Sequence, residues 1–112
     1  MTKDDAIFIR HMLDAIEDIE SYVETKEGFV HQKIVQDAVI RKIMVIGEAS
    51  KNISTSLRDK HPDIPWKDIV GMRDWLVHGY FGVDLDTVWK TIRDDIPSLK
   101  KQLGAILMEL QI

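Results

Sequence analysis

The sequence predicts an all-α protein, a single domain over residues 1–112 folded as an antiparallel bundle of four to five helices. Three observations carry that expectation. Apolar side chains recur at three- and four-residue spacing through most of the chain, no stretch shows the strict alternation of a half-buried strand, and the breaks between periodic segments are short. At 112 residues, with 45% hydrophobic side chains, one core can be buried without staples, and the absence of cysteine rules out disulfides and thiolate metal sites.

The first helix, about residues 3 to 24, places Ile9, Met12, Leu13, Ile16, Ile19 and Val23 on one face, and Thr2 with Asp5 forms a capping-box-like start. Phe8, Ala15 and Tyr22 make a second stripe at seven-residue spacing, and Lys26-Glu27-Gly28 reads as a turn. The long segment from about 30 to 53 carries Ile34, Val35, Ala38, Val39, Ile40, Ile43, Met44, Val45, Ile46 and Ala49. A helix apolar on more than one side must be covered on more than one side, so this one is either central or shared with a second subunit.

Ser54, Ser56, Pro62 and Pro65 mark residues 54–65 as a polar turn with room for one short helical stretch. The third helix runs from Trp66 to Val77 or His78, where Gly79 ends it. Phe81-Gly82-Val83-Asp84 is a turn, and Asp84 or Asp86 caps a fourth helix with Leu85, Val88, Trp89 and Ile92. Pro97 should separate this from a last helix striped by Leu99, Leu103, Ile106, Leu107 and Leu110, in which Gly104 is tolerated.

Nineteen acidic against 15 basic side chains give a formal charge of -4, the wrong sign for a broad polyanion-binding surface, though a local basic cluster can still hold a phosphate. No apolar run approaches the roughly 20 residues of a spanning helix, and Met1-Thr2-Lys3-Asp4-Asp5 does not read as a secretory signal. A cytoplasmic protein with no membrane partner is expected.

The third helix carries the chemistry. Turning residues 66–80 at about 100° each aligns Trp66, Ile69, Val70, Leu76, Val77 and Tyr80, with Arg73 near the centre of that face. An unpaired guanidinium in a core is heavily penalised, so Arg73 either meets a carboxylate such as Glu48 or looks into a wet cleft. On the opposite side Lys67, Gly71, Asp74 and His78 line up, and Asp74 and His78 are four residues apart. A carboxylate there can set the imidazole's tautomer and raise its basicity, the preparation a general acid or base needs. The plainer alternative makes His78 a last-turn residue favoured by the helix dipole. Gly71 leaves room for a ligand or a second backbone. His11, His31 and His61 lack metal-ligand spacing, and Arg58-Asp59-Lys60-His61 reads as a solvated turn.

The segment Ile69-Val70-Gly71-Met72-Arg73-Asp74-Trp75-Leu76-Val77-His78-Gly79-Tyr80 resembles the signature of HepT-like proteins, a branch of the HEPN superfamily. That signature is an arginine, a polar residue, three variable positions, a histidine, one variable position and a tyrosine. The likeness continues through Val35 to Arg41, Ile46-Gly47-Glu48-Ala49, the Pro62 to Trp66 approach, and Val83 to Asp86 with Trp89.

The resemblance implies a HEPN-like, dimeric helical bundle acting as a metal-independent endoribonuclease on mRNA or tRNA, with no cofactor. It would be the toxin of a type VII-like toxin–antitoxin module, silenced by AMPylation from a minimal nucleotidyltransferase antitoxin. Carried over by residue, Arg73 and His78 are catalytic, Asp74 supports them, and Tyr80 is the AMPylated position.

An RNA 2′-hydroxyl can attack its own phosphate if His78 takes the proton and Arg73 stabilises the developing charge. Five residues separate the two, about 140° around an ideal helix, so they share no face. Pairing two copies could bring Arg73 and His78 from different chains together, with Met72, Trp75 and the second stripe of the first helix as candidate interface. The alternative function is a non-catalytic dimeric helical partner, or a nucleotide-binding subunit, of a nucleotidyltransferase complex.

Overall fold

Four long helical stretches and two short ones are found among the described residues. The computed structural model describes residues 3–79 and 82–110, and these contain no strand. They form α1 (Lys3–Tyr22), α2 (Lys26–His31), α3 (Lys33–Lys51), α4 (Thr55–Lys60), α5 (Trp66–His78), α6 (Leu85–Lys90) and α7 (Ile96–Leu110). None of the described helices is long and apolar enough to cross a membrane.

Helix α3 is the centre of the bundle. It packs against α1 on one side and α5 on the other, while α7 closes against α1. Val39, Ile43, Ile46 and Ala49 are buried along one stripe, Val35, Ile40, Met44 and Val45 beside it are partly buried against the same core, and Ile34 is exposed. Ile9, Met12, Ile16 and Ile19 of α1 are wholly buried, and Leu99, Leu103 and Ile106 of α7 complete the core. Each such side chain contributes about 1.5–3 kcal/mol on leaving water. Phe29 of α2 and Leu57 of α4 are sealed into the same core and hold the short helices down.

Several expectations are corrected. Pro97 does not separate two helices: α6 runs without a break into α7 through a π turn at Thr91–Asp95. Proline has no N–H to donate and its ring clashes with the carbonyl of residue i−4. The wider π turn, in which the Ile96 N–H bonds the Thr91 carbonyl, absorbs both problems just before the ring. Asp5, read as part of the start of α1, is buried there and accepts 2.8 and 2.6 Å hydrogen bonds from the Ser54 N–H and hydroxyl. It thereby fixes Ser54, whose oxygen accepts from the Leu57 N–H and caps α4. Thr2 lies outside the described residues.

Lys26-Glu27-Gly28 is the first turn of α2, capped by Thr25, and not a loop. The long central helix accordingly starts at Lys33, and α1 stops at Tyr22. Arg58, Asp59 and Lys60 are helical in α4, with His61 as its C-cap. Ala15 of the second α1 stripe is buried in the monomer's own core. Trp66–His78 as α5, and Asp84 as the cap of α6 accepting from the Asp86 N–H at 3.0 Å, agree with expectation.

Candidate active site

Helices α3 and α5 approach closely because Gly47 has no side chain. A β-carbon there would collide with Arg73 Cβ and lie 2.9 Å from its Cγ and 3.2 Å from the Ile69 carbonyl oxygen. The aliphatic stem of Arg73 crosses α3 at this point. Its guanidinium then emerges beside Glu48, with Nη2 3.1 Å from Oε2, while Nη1 donates to Asp74 Oδ1 at 2.9 Å. About a quarter of the Arg73 side chain stays accessible. Both alternatives in the sequence reading therefore hold together: Arg73 is paired, and it faces a cleft.

That pairing sets the electrostatics. The hydrogen bond to Asp74, reinforced by the charge of Glu48, raises the Arg73 pKa further. The same hydrogen bond, followed by the Coulomb field of Arg73, holds the Asp74 carboxyl below the usual aspartate value. Asp74 thus bonds Arg73 through Oδ1, and among the described residues no hydrogen bond or ion pair joins Asp74 to His78.

The cleft of Arg73 is about 360 Å³ in volume and lies among α1, α3 and α5. Phe8, His11, Arg41, Met44 and Glu48 share its wall with Arg73. His78 is exposed at the end of α5 and does not line this cleft. The helix between Arg73 and His78 is regular, so the two keep the separation of about 140° that five α-helical steps impose. Tyr80 lies outside the described residues.

Gly79 ends α5 without a left-handed backbone, at φ −105° and ψ 23°. Glycine fits there for another reason: a β-carbon would sit 2.8 Å from the Trp75 carbonyl oxygen, which accepts the Gly79 N–H. Gly71 has open space around its α-carbon, as expected, and lies on a second groove of about 630 Å³ between α5 and the α6–α7 stretch. Met72 and Trp75 form part of that groove's apolar wall with Ile43 and Leu99, and Lys67 stands on its rim.

The remaining histidines divide. His31 is exposed, and His61 is mostly buried with Nε2 3.3 Å from Glu109 Oε2. His11 packs edge-on to Phe8 with ring centroids 5.9 Å apart, in the Arg73 cleft. Among the described residues no group of three or more metal-ligating side chains converges. Sequence reasoning missed His11 and Arg41 as neighbours of Arg73. Arg41, Glu48 and Asn52 at seven- and four-residue spacing signal one face of α3, but only tertiary packing brings His11 to it.

Comparison with known proteins gives a consistent result. A protein of Methanocaldococcus jannaschii named "Gamma-glutamylcyclotransferase and putative RNase" is 46% identical over 112 residues, covering 98% of this chain and 50% of that protein. The chain thus spans half the length of that relative. "Probable ribonuclease HepT" of Thermococcus cleftensis is 47% identical over 95 residues, covering 83% of this chain and 86% of that one. A further M. jannaschii protein, named a "Putative RNase", is 41% identical over 111 residues, covering 97% and 96% of the two chains. No significant match was found among solved structures. Residues 12–106, from the middle of α1 to Ile106 in α7, match the ribonuclease HepT-like family, and the chain belongs to that family.

Proposed function

We propose that the protein is an endoribonuclease that cleaves RNA through the substrate's own 2′-hydroxyl, without a metal. The observation that carries this reading is the family match across residues 12–106, which includes the α5 helix bearing Arg73 and His78. His78 takes the 2′-hydroxyl proton, the 2′-oxygen attacks the adjacent phosphorus, and the 5′-oxygen of the next nucleotide leaves, giving a 2′,3′-cyclic phosphate. Arg73, held by Glu48 and Asp74, meets the charge that grows on the phosphate oxygens.

Arg73 looks into a cleft that His78 does not line, so a complete site needs His78 from a second copy. The active species is a homodimer. In the cell it acts as the toxin of a two-component module of type VII-like character. A minimal nucleotidyltransferase antitoxin adds AMP to the Tyr80 hydroxyl, which puts a bulky anion where the RNA phosphate must sit.

The test is incubation of the purified, unmodified protein with total RNA or tRNA in EDTA, with the product ends analysed. Cyclic phosphate ends, lost in His78→Ala, are expected. Cleavage that survives in His78→Ala removes His78 as the base, and cleavage that requires a divalent cation removes the metal-free route.

Two observations favour a second reading. Arg73 already has two carboxylate partners, as a structural ion pair would, and the chain is acidic overall. A non-catalytic helical partner, or a nucleotide-binding subunit, of a nucleotidyltransferase complex would show binding to that enzyme or to a mononucleotide and no RNA cleavage by any preparation.

A further inference from the structure

The Arg73 cleft extends beyond the residues of the family signature. On its far side α3 presents Arg41, and α1 contributes Phe8 and His11. Arg73 is already occupied by Glu48 and Asp74, whereas among the described residues Arg41 enters no ion pair. An exposed guanidinium with its fork unspent suits a phosphodiester oxygen pair. The two carboxylates at this wall, Glu48 and Asp74, are both engaged by Arg73, so Arg41 is the cation left to meet an anion on a chain whose formal charge is -4.

The rest of the wall has a different chemistry. The Phe8 and His11 rings meet edge to face at 5.9 Å, and Met44 continues that apolar surface. A volume of about 360 Å³ is at the small end of ligand pockets, which run to roughly 1,000 Å³, and suits one nucleotide rather than a duplex. A base can pack on aromatic and apolar side chains only once it is unstacked, so the fit is to a single strand.

We propose that this cleft is a nucleotide subsite for single-stranded RNA, in which Arg41 binds the phosphodiester neighbouring the one at Arg73 and Phe8 with His11 packs the intervening nucleotide. The identity of the polymer rests on the ribonuclease reading, while the binding geometry is independent of it.

A fluorescein-labelled, cleavage-resistant 2′-O-methyl hexaribonucleotide separates the two in a polarisation titration of the full chain. Arg41→Ala should weaken binding at least tenfold and reduce the dependence of log K on log salt by about 0.7, the share of one phosphate contact on a single strand. Arg41→Lys should recover part of the affinity, and His11→Ala should weaken binding less than Arg41→Ala. Arg93→Ala, which removes a cation paired with Asp94 and absent from the cleft wall, should stay within twofold of wild type.

Folded Arg41→Ala protein that binds as wild type overturns the subsite, as does an equal loss in Arg93→Ala or no binding by wild type. Cleavage of unmodified RNA is followed in parallel. Binding through Arg41 without cleavage removes the ribonuclease reading and leaves the subsite, whereas cleavage with an unchanged KM in Arg41→Ala does the reverse.

Discussion

Gly47 on α3 lies directly beneath the stem of Arg73 on α5, with no room for a β-carbon between them. Substituting Gly47→Ala must push Arg73 sideways or part the helices, and the carbonyl of Ile69 blocks an easy shift. Overpacking of this kind costs about 1–3 kcal/mol. The expected outcome is a lowered urea midpoint and a loss of RNA cleavage larger than the unfolded fraction explains, since the guanidinium leaves its place beside Glu48. Gly47→Ala protein with wild-type stability and cleavage would show that α3 and α5 do not depend on this contact.

The ion pairs of Arg73 with Glu48 and Asp74 allow structure and chemistry to be separated. Removing Arg73 alone leaves two neighbouring carboxylates without their cation, so Arg73→Met confounds stability with activity. Replacing Arg73 and Glu48 with methionine and Asp74 with asparagine removes the paired charges together, and such swaps are often neutral or stabilising. Arg73→Met/Glu48→Met/Asp74→Asn should therefore unfold at a urea midpoint close to wild type while RNA cleavage drops at least about 100-fold, the scale of losing one charge-stabilising donor. A stable, fully active triple variant would take Arg73 out of the chemistry.

Asp74 gives a pH signature. Its folded-state pKa is depressed by Arg73, so its contribution to stability is complete above the unfolded value near 3.9 and is lost as pH falls through the lower folded value. The stability difference between wild type and Asp74→Asn should be constant from about pH 5 to pH 8 and shrink below about pH 4. Urea titrations across that range measure it. A difference that stays unchanged below about pH 4 would mean that Arg73 does not hold the Asp74 carboxyl ionised.

The features legible in the sequence are those decided within a few turns of helix. The span Trp66–His78, the Asp84 cap and the central place of α3 all follow from periodicity and local hydrogen bonding. The pairing of Arg73 with a carboxylate was legible too, because the penalty on an unpaired guanidinium is known before any fold is. What periodicity cannot rank is competition between partners. Asp74 can reach either Arg73 or His78, and the tertiary position of Arg73 decides it. Asp5 meets Ser54 across 49 residues of chain, and His11 reaches the Arg73 cleft only because α1 packs on α3. At Pro97 the rule against helix-interior proline was sound, but the π turn offered a way past it.

Asp5 and Ser54 supply a stability prediction remote from the site. The buried carboxylate holds both the N–H and the hydroxyl of Ser54, and losing hydrogen bonds to a charged group costs about 1.5–3 kcal/mol each, with the α4 cap depending on the same serine. Asp5→Ala should lose about 3 kcal/mol in urea denaturation. Asp5→Asn, which keeps one acceptor oxygen, should lose about half as much. Equal losses in the two variants would mean that packing of the side chain, and not its hydrogen bonds, is what α4 requires.

The placement of Arg73 and His78 on different faces of one regular helix gives the most direct test of the dimeric site. In an Arg73→Ala homodimer every site lacks its arginine, and in a His78→Ala homodimer every site lacks its histidine, so each alone should be inactive. Co-refolded in equal amounts, the two chains form heterodimers in about half of the pairs if association is random. When a site takes Arg73 from one chain and His78 from the other, each heterodimer has one site with both defects and one with none. The mixture should then recover about a quarter of wild-type RNA cleavage, and a preparation enriched in heterodimers about half. If Arg73 and His78 of the same chain made the site, every site in the mixture would lack one of them. Mass spectrometry or differential tags establish that heterodimers are present. Heterodimers that form and remain inactive would confine the site to a single chain and require the last turn of α5 to unwind before His78 could face the Arg73 cleft.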